Sequence, residues 1–248
     1  MVIKFKYLSL ILLSSLTLSF LSCDDGRIYE EEIIPEAEEG KVMKFTGNIS
    51  GIDSWARGYS LVLAGFDANK DFAVITQQLP SPDENGNVEV VMSNIQKDVV
   101  TLHLCVVNRQ RGLVKSYVEM KCDQDTQDTI RMEGIKQNVN MFDAVQSQIF
   151  NDEEYGCIRC HGKTGTFAGG VNLLEGQSYN CLISKKSNIA ANDTMVISSG
   201  NAEASTLYLI LGTKYGKKLK YDHSNILINS YTDIALVRDW IDSGAKEK

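Results

Sequence analysis

Short apolar runs separated by polar turn segments, with no helical period, make up the chain from Lys41 to about Met132. Six runs rich in β-branched and aromatic residues predict strands: Val42–Ile49, Tyr59–Phe66, Phe72–Gln78, Val88–Met92, Val99–Val107 and Leu113–Lys121. Turn-forming segments such as Asp83-Glu84-Asn85-Gly86 separate these runs. Regular spacing of short strands without a helical period predicts an antiparallel β-sandwich of immunoglobulin-like (Ig-like) type, which we assign to residues 41–135.

The spacing of apolar residues changes to a helical period after these strands. The first helical stripe, which ends near Asn151, consists of Val139, Phe142, Val145 and Ile149. Three further short helices are predicted over Asn180–Lys185, Ala202–Leu211 and Thr232–Ser243. Residues 136–248 are therefore expected to form an all-α domain after the sandwich, so that the protein is multidomain.

The final predicted helix has an apolar stripe of its own, made of Ile234, Val237 and Ile241. We expect this stripe to pack across the first helix, because two amphipathic helices bury most apolar surface when their stripes meet. In that arrangement Trp240 belongs to the core.

The first 22 residues have the pattern of a signal peptide. Lys4 and Lys6 precede an apolar run, Tyr7 to Leu21, that is too short and too rich in serine for a transmembrane helix. The run ends in Phe20-Leu21-Ser22-Cys23, which resembles the lipobox of bacterial lipoproteins, where the cysteine is lipidated and becomes the new N-terminus. It predicts a protein anchored through Cys23 to a membrane of the cell envelope, at the periplasmic face or the outer-membrane surface. An ordinary signal peptide with a chance cysteine is the alternative.

An acidic segment, residues 23–40, separates this leader from the first strand. It contains eight acidic residues and one arginine, so we expect a solvated, extended tether.

Composition and charge narrow the class of protein. Of the 248 residues, 43% are hydrophobic and 23% are charged, which excludes a wholly disordered, collagen-like or multi-span membrane chain. The formal net charge is −7, and removal of the leader, with two lysines and no acidic residue, lowers it to −9. Such a charge argues against a nucleic-acid partner.

Three cysteines and one histidine have structural interpretations. Cys105, Cys122 and Cys181 are interpreted as buried small residues. A bridge between Cys105 and Cys122 is not expected, since a hairpin through residues 109–112 places them about 20 Å apart, beyond the limit of about 7 Å between bridged Cα atoms. His103 lies opposite the apolar face of its strand, and we predict it to be on the surface.

The strongest chemical signal is the segment Cys157-Ile158-Arg159-Cys160-His161. A Cys-x-x-Cys-His segment attaches haem covalently: Cys157 and Cys160 bind the vinyl groups, and His161 becomes an axial iron ligand. The signal peptide agrees with this assignment, because haem attachment takes place outside the cytoplasm. We therefore expect one covalent haem c.

Two other kinds of site remain open for this motif. A zinc site needs a fourth ligand, which only Cys181 or His223 can supply, at unusual spacing. A thioredoxin-like dithiol needs a strand–helix unit around the motif, whereas a predicted helix precedes this one and a glycine-rich loop follows it.

At this point the chain resembles a known family, the class I-type monohaem cytochrome c domain found in bacterial envelope proteins joined to other modules. The resemblance runs from residue 139 to residue 245, about 107 of the 248 residues. The matching segments are Val145–Phe150, Cys157–Gly162, Gly169–Leu173, Ser199–Tyr208 and Ile234–Ala245. The resemblance implies that residues 136–248 form an all-α cytochrome c domain that transfers electrons.

The family's second axial iron ligand is replaced in this chain. It is usually a methionine, followed by prolines, about ten residues before the last helix. His223 stands in that position, and no proline follows Pro82. The resemblance therefore implies that His161 and His223 both bind the iron. Ligation by Met195 and an open sixth position are the alternatives.

Four lysines lie shortly before His223: Lys214, Lys217, Lys218 and Lys220. They are either residues of a solvated loop or a docking surface for an acidic redox partner.

Together these features predict a lipid-anchored envelope cytochrome c that passes single electrons to and from unidentified redox partner proteins. We do not expect an enzyme, because no nucleophile–base pair or pair of catalytic carboxylates stands out. Two alternatives are a surface protein- or glycan-binding lipoprotein with an accessory haem, and a five-coordinate haem enzyme or sensor.

The lipobox assignment is tested by changing Cys23 to serine. Wild-type protein is expected to partition into detergent, whereas the Cys23→Ser variant is expected to be released or left unprocessed, since it lacks the lipidated thiol. Phase partitioning and the mass of the N-terminal peptide measure both properties. A variant that is processed and still remains in the membrane fraction contradicts the assignment.

Overall fold

Strands make up the first half of the described chain, and short helices make up the second. The computed structural model describes residues 40–123, 129–162, 167–183, 185–189, 194–212, 219–227 and 229–248. All of them belong to one compact unit, Glu39–Lys248.

Two sheets contain the seven strands of the described residues. The strands are β1 (Lys41–Ser50), β2 (Tyr59–Phe66), β3 (Ala73–Gln78), β4 (Asn87–Ile95), β5 (Thr101–Asn108), β6 (Leu113–Lys121) and β7 (Ile130–Asn138). One sheet has the order β4-β1-β7 and the other β3-β2-β5-β6. Apolar side chains from both sheets enter one hydrophobic core, which gives a two-layer arrangement.

Six of these strands follow the sequence prediction. β2 and β6 have the predicted bounds, and the others differ by one to three residues at an end. Cys105 pairs with Ser116 across the β5–β6 hairpin. This is the hairpin from which a bridge between Cys105 and Cys122 was not expected. Cys105 and Cys122 are both buried, as predicted.

The seventh strand was not predicted, and a purely antiparallel sandwich is wrong because β7 pairs with β1 in parallel. Charged residues and Gly134 hide its apolar alternation. Gly47 on β1 makes the pairing possible, because a Cβ atom there would lie 2.8 Å from the carbonyl oxygen of Ile135. The predicted domain boundary, between residues 135 and 136, falls inside β7, and the division into two domains stays a prediction.

The surface prediction for His103 is also wrong, since only 1% of this residue is exposed. Its Nδ1 lies 2.8 Å from Oγ of Ser116 and its Nε2 lies 2.9 Å from Oγ1 of Thr101. The edge of its ring meets the ring of Phe66. The prediction assumed that the face of β5 opposite its apolar residues is exposed to solvent. In the structure both faces of this central strand are buried.

Five α-helices occur in the described part of the chain: α1 (Met141–Val145), α2 (Cys157–His161), α3 (Ser178–Ile183), α4 (Thr206–Gly212) and α5 (Tyr231–Asp242). A π-helical turn, Gln146–Phe150, continues α1, so the predicted first helix is present with a change of winding. The helix predicted over Ala202–Leu211 is divided into a 3₁₀ turn and α4.

Trp240 lies at the centre of the helical half and is fully buried, as predicted. Its ring centroid lies 5.0 Å from that of Phe142 on α1, and its Nε1–H donates to the carbonyl of Lys246 at 2.9 Å. The predicted stripes of α1 and α5 both enter the core, which confirms that these helices pack together.

The core continues from the helices into the sheets. Hydrogen bonds also join the two halves. They include Trp55 Nε1 to the Val139 carbonyl, Val139 N to the Ser50 carbonyl, Met141 N to Ser54 Oγ, Tyr59 Oη to the Asp239 carboxylate, and Gln148 Nε2 to the Val114 carbonyl. None of the helices in the described ranges combines the length and apolar character needed to cross a bilayer.

Burial of His103 makes the stability of the protein depend on pH. Burial lowers the pKa of His103, with nearby Lys70 lowering it further and Glu119 opposing the shift. Below the unfolded pKa of about 6.5, the unfolded chain therefore binds more protons than the folded chain. The free energy of unfolding is expected to decrease as the pH falls from about 7.5 through this range.

A His103→Gln variant should show less of this pH dependence, because glutamine has no titrating ring. Urea denaturation of both proteins at several pH values between about 5.5 and 7.5 measures the difference in slope. Equal slopes for the two proteins contradict the assignment to His103.

Candidate cofactor site

A tight turn leads into the Cys-x-x-Cys-His motif. The Asp152 carboxylate accepts the backbone N–H groups of Glu154 at 2.9 Å and Tyr155 at 3.0 Å, which bends the chain after the π-helical turn. Gly156 then has a φ of 64°, a left-handed conformation that glycine adopts readily. The motif follows as α2, a single short helix that begins at Cys157.

His161 is held by a short extended segment, residues 171–173. Its Nδ1–H donates to the carbonyl of Val171 at 3.1 Å, and its own carbonyl accepts the N–H of Leu173 at 2.9 Å. Burial lowers the pKa of His161, and the nearby His223 lowers it further, which favours the neutral ring. With Nδ1 donating to a carbonyl, the lone pair is on Nε2, the arrangement found in metal-binding histidines.

His223 is held in the same manner by its own chain segment. Its Nδ1–H donates to the carbonyl of Tyr221 at 2.8 Å, which again leaves the lone pair on Nε2. Its carbonyl accepts the N–H of Ile226 at 3.2 Å, so the segment forms a turn. The two histidines therefore present the same tautomer.

The two imidazole rings lie near each other although their residues are far apart in the sequence. Their centroids are 6.3 Å apart, and the ring planes are inclined by 56°. Two imidazoles that bind one metal ion from opposite sides, with metal–nitrogen bonds of about 2.0–2.1 Å, have centroids about 6–6.5 Å apart. The observed separation is suited to a pair of axial ligands.

Both histidines line a cavity of about 590 Å³, a volume within the range of about 300–1,000 Å³ typical of ligand pockets. Its wall is largely apolar and includes Phe150, Val171, Leu173, Val196, Leu207 and Ile210. Cys157 and Cys160 belong to the same wall, Cys157 half-buried and Cys160 exposed. Burial raises the pKa of Cys157 to about 11. The cavity thus brings together all four residues that the sequence singled out.

One pair of residues beside the cavity was not found by sequence reasoning. The Tyr155 hydroxyl donates to the Asp233 carboxylate at 2.6 Å, and Ser230, the N-cap of α5, donates to the same oxygen at 2.7 Å. This contact ties the turn before the motif to the last helix. Ser230 carried an N-cap signal, but nothing local to Tyr155 indicated its partner.

The other residues considered from the sequence have different positions. Met195 is not among the described residues of the cavity wall, and its carbonyl accepts the N–H of Thr206 at 3.2 Å. Cys181, on α3, is only half-buried, so its predicted burial is wrong; its Sγ accepts the N–H of Asn172 at 3.1 Å. Lys220 lines the cavity. Cys23, Lys214, Lys217 and Lys218 lie outside the described residues.

Within the described ranges, no group of three or more histidine, cysteine, aspartate and glutamate side chains is arranged to bind a metal ion. Cys157, Cys160, His161 and His223 line one cavity, but their described side chains are not clustered as the ligands of a structural zinc site. No strand leads into α2 either, as the thioredoxin-like alternative requires, because the π-helical turn precedes the motif.

Comparison with known proteins gives little further information. No family model matches the chain, and no curated protein matches it. Among solved structures, it shows a partial likeness to the crystal structure of BcpA, the major pilin subunit of Bacillus cereus, with 14% identity and a TM-score of 0.22. That match covers 40% of this chain and 30% of the pilin chain, and a TM-score this low does not establish a shared fold.

Proposed function

We propose that this protein is a lipid-anchored cytochrome c of the cell envelope, which carries single electrons through one covalently bound haem. One observation carries the proposal: His161 of the Cys-x-x-Cys-His motif and His223 lie 6.3 Å apart in the wall of one cavity. A thioredoxin-like dithiol does not account for this pairing of rings, and the described side chains do not form the cluster that a zinc site using His223 needs.

The residues around the cavity fit a haem group. His161 and His223 would hold the iron through Nε2, and Cys157 and Cys160 would hold the porphyrin edge through thioether bonds. The largely apolar wall suits the flat apolar ring of the group. When bound, haem supplies a one-electron couple between ferric and ferrous iron, which no side chain of this protein can supply alone.

The protein's own groups set the conditions for that couple. The carbonyls of Val171 and Tyr221 accept the Nδ1–H groups, and this orients both imidazoles and increases their basicity as ligands. With His161 and His223 both holding the iron, no position would be open to peroxide or oxygen, so we propose an electron carrier and not an enzyme.

The domain assignment belongs to the same proposal. Residues 136–248 would form the class I-type, all-α cytochrome c domain, and residues 41–135 the Ig-like sandwich. The packing of α1 against α5 around Trp240 supports the first part, because it joins the two ends of the proposed domain.

The lipobox at Cys23 supports anchoring to a membrane of the cell envelope, and residues 23–40 would act as the tether. The partners would be redox proteins and not nucleic acids. Lys220 and Tyr221, whose side chain is 65% exposed, lie in the cavity wall and would form part of the surface that meets a redox partner.

Covalent attachment is tested with the double variant Cys157→Ala/Cys160→Ala. Wild-type protein made in a host with haem-attachment machinery is expected to keep its haem on a denaturing gel, because thioether bonds survive unfolding. The double variant is expected to show no haem-specific stain at the position of the protein on that gel. Recovery of zinc in place of iron from the wild type contradicts the proposal.

The sixth ligand is tested at His223. A second imidazole favours ferric iron relative to a thioether, so His223→Met is expected to raise the reduction potential measured by redox titration. His223→Ala is expected to open the position to carbon monoxide, seen as a shift of the ferrous absorption band.

Two results would contradict the assignment of His223 as ligand. A methionine–iron charge-transfer band in wild-type protein that His223→Ala leaves unchanged would identify Met195 as the ligand. A high-spin ferric spectrum that is equally unchanged would indicate an open position and an enzyme or sensor.

A further inference from the structure

A buried amide lies behind the segment that holds His161. Gln146, the first residue of the π-helical turn, is 4% exposed. Its Nε2 donates to the carbonyl of Leu173 at 3.0 Å and to Oδ1 of Asn151 at 2.8 Å, and its Oε1 accepts the hydroxyl of the fully buried Ser178. The side chain thus joins the π-helical turn, the extended segment 171–173 and α3.

The segment held by Gln146 is the one that holds the histidine. Leu173 receives the amide of Gln146 on its carbonyl and donates its N–H to the carbonyl of His161 at 2.9 Å. Two residues earlier, Val171 accepts the Nδ1–H of His161 at 3.1 Å. Gln146 therefore binds the residue that contacts the His161 carbonyl, and this residue lies two positions after Val171, whose carbonyl holds the ring.

Filling space does not account for a glutamine at this position. Leucine has a similar size, but it would leave the buried Leu173 carbonyl, the buried Ser178 hydroxyl and the half-exposed Asn151 amide without this partner. A polar group that stays buried after losing its partner destabilises the fold. The amide of Gln146 also holds segment 171–173 in place, because it donates a hydrogen bond to a main-chain carbonyl of that segment, that of Leu173.

We propose that Gln146 is a positioning residue that sets the reduction potential by fixing the hydrogen bond between His161 and Val171. The inference rests on the proposed function, since it concerns the ligand strength of His161. A firm Nδ1–H···O=C bond makes the imidazole a stronger donor to iron and favours the ferric state. Release of segment 171–173 weakens that bond and favours the ferrous state.

Gln148 provides a matched control in the same π-helical turn. It has the same side chain, and its Nε2 also donates to a backbone carbonyl, that of Val114 on β6. Its hydrogen bond leads to the sandwich and not to segment 171–173. Gln148→Leu therefore removes a bond of the same kind without the connection to His161.

The experiment is a redox titration of the wild type, Gln146→Leu, Gln146→Glu and Gln148→Leu as full-length haem-loaded proteins. For Gln146→Leu, we expect the ferric-to-ferrous equilibrium to shift about tenfold toward the ferrous form, which is 59 mV for a one-electron couple. Gln148→Leu should leave the potential unchanged. Electron paramagnetic resonance of the ferric proteins should show altered g values only in the Gln146 variants.

Gln146→Glu keeps an acceptor for Ser178 but replaces the donor to Leu173 with an oxygen, so it should shift the potential in the same direction. It keeps the test decisive if Gln146→Leu does not fold. Equal shifts in the Gln146 and Gln148 variants, or no shift in either, overturn the positioning role while the proposed function stands. Absence of covalent haem from the wild type overturns the proposed function and, with it, this inference.

Discussion

The helical half of the molecule depends on burial around Trp240, because most of its helices are too short to be stable alone. Four of the five described helices have seven residues or fewer, and isolated helices of this length are unstable in water. The core around Trp240 continues into both sheets, and Cys157 and Ile226 pack against it. Since Ile226 lies three residues after His223, the same packing determines the positions of both candidate ligand segments.

Both histidines are oriented by main-chain carbonyls and not by carboxylates. A carboxylate partner would add a negative charge beside an apolar cavity, where charge is costly to bury. The carbonyls of Val171 and Tyr221 orient the rings and leave the cavity wall without that charge. As a result, the positions of the two rings depend on the positions of the chain segments that contain Val171 and Tyr221. Residues that hold those segments in place therefore also determine where the rings lie.

Local patterns predicted much of this arrangement, and contacts between distant residues account for the rest. The runs of β-branched and aromatic residues were sufficient for the bounds of β2 and β6, and the apolar stripe of α5 located that helix to within one residue at each end, because these signals belong to the elements' own residues. β7 and the burial of His103 were missed because they depend on a parallel partner and a covered second face. The contact of Tyr155 with Asp233 joins residues 78 positions apart and leaves no periodic signal.

The parallel pairing of β1 and β7 also has a mechanical consequence. The chain enters β1 at Lys41, and the helical half leaves from Asn138 of β7, which pairs with Ser50 at the far end of β1. Tension between the residues before Lys41 and the helical half therefore acts along both strands in shear, and it loads their hydrogen bonds together instead of one after another. Because forced unfolding depends on the rate of crossing the barrier, this connection resists pulling better than a hairpin opened from its end.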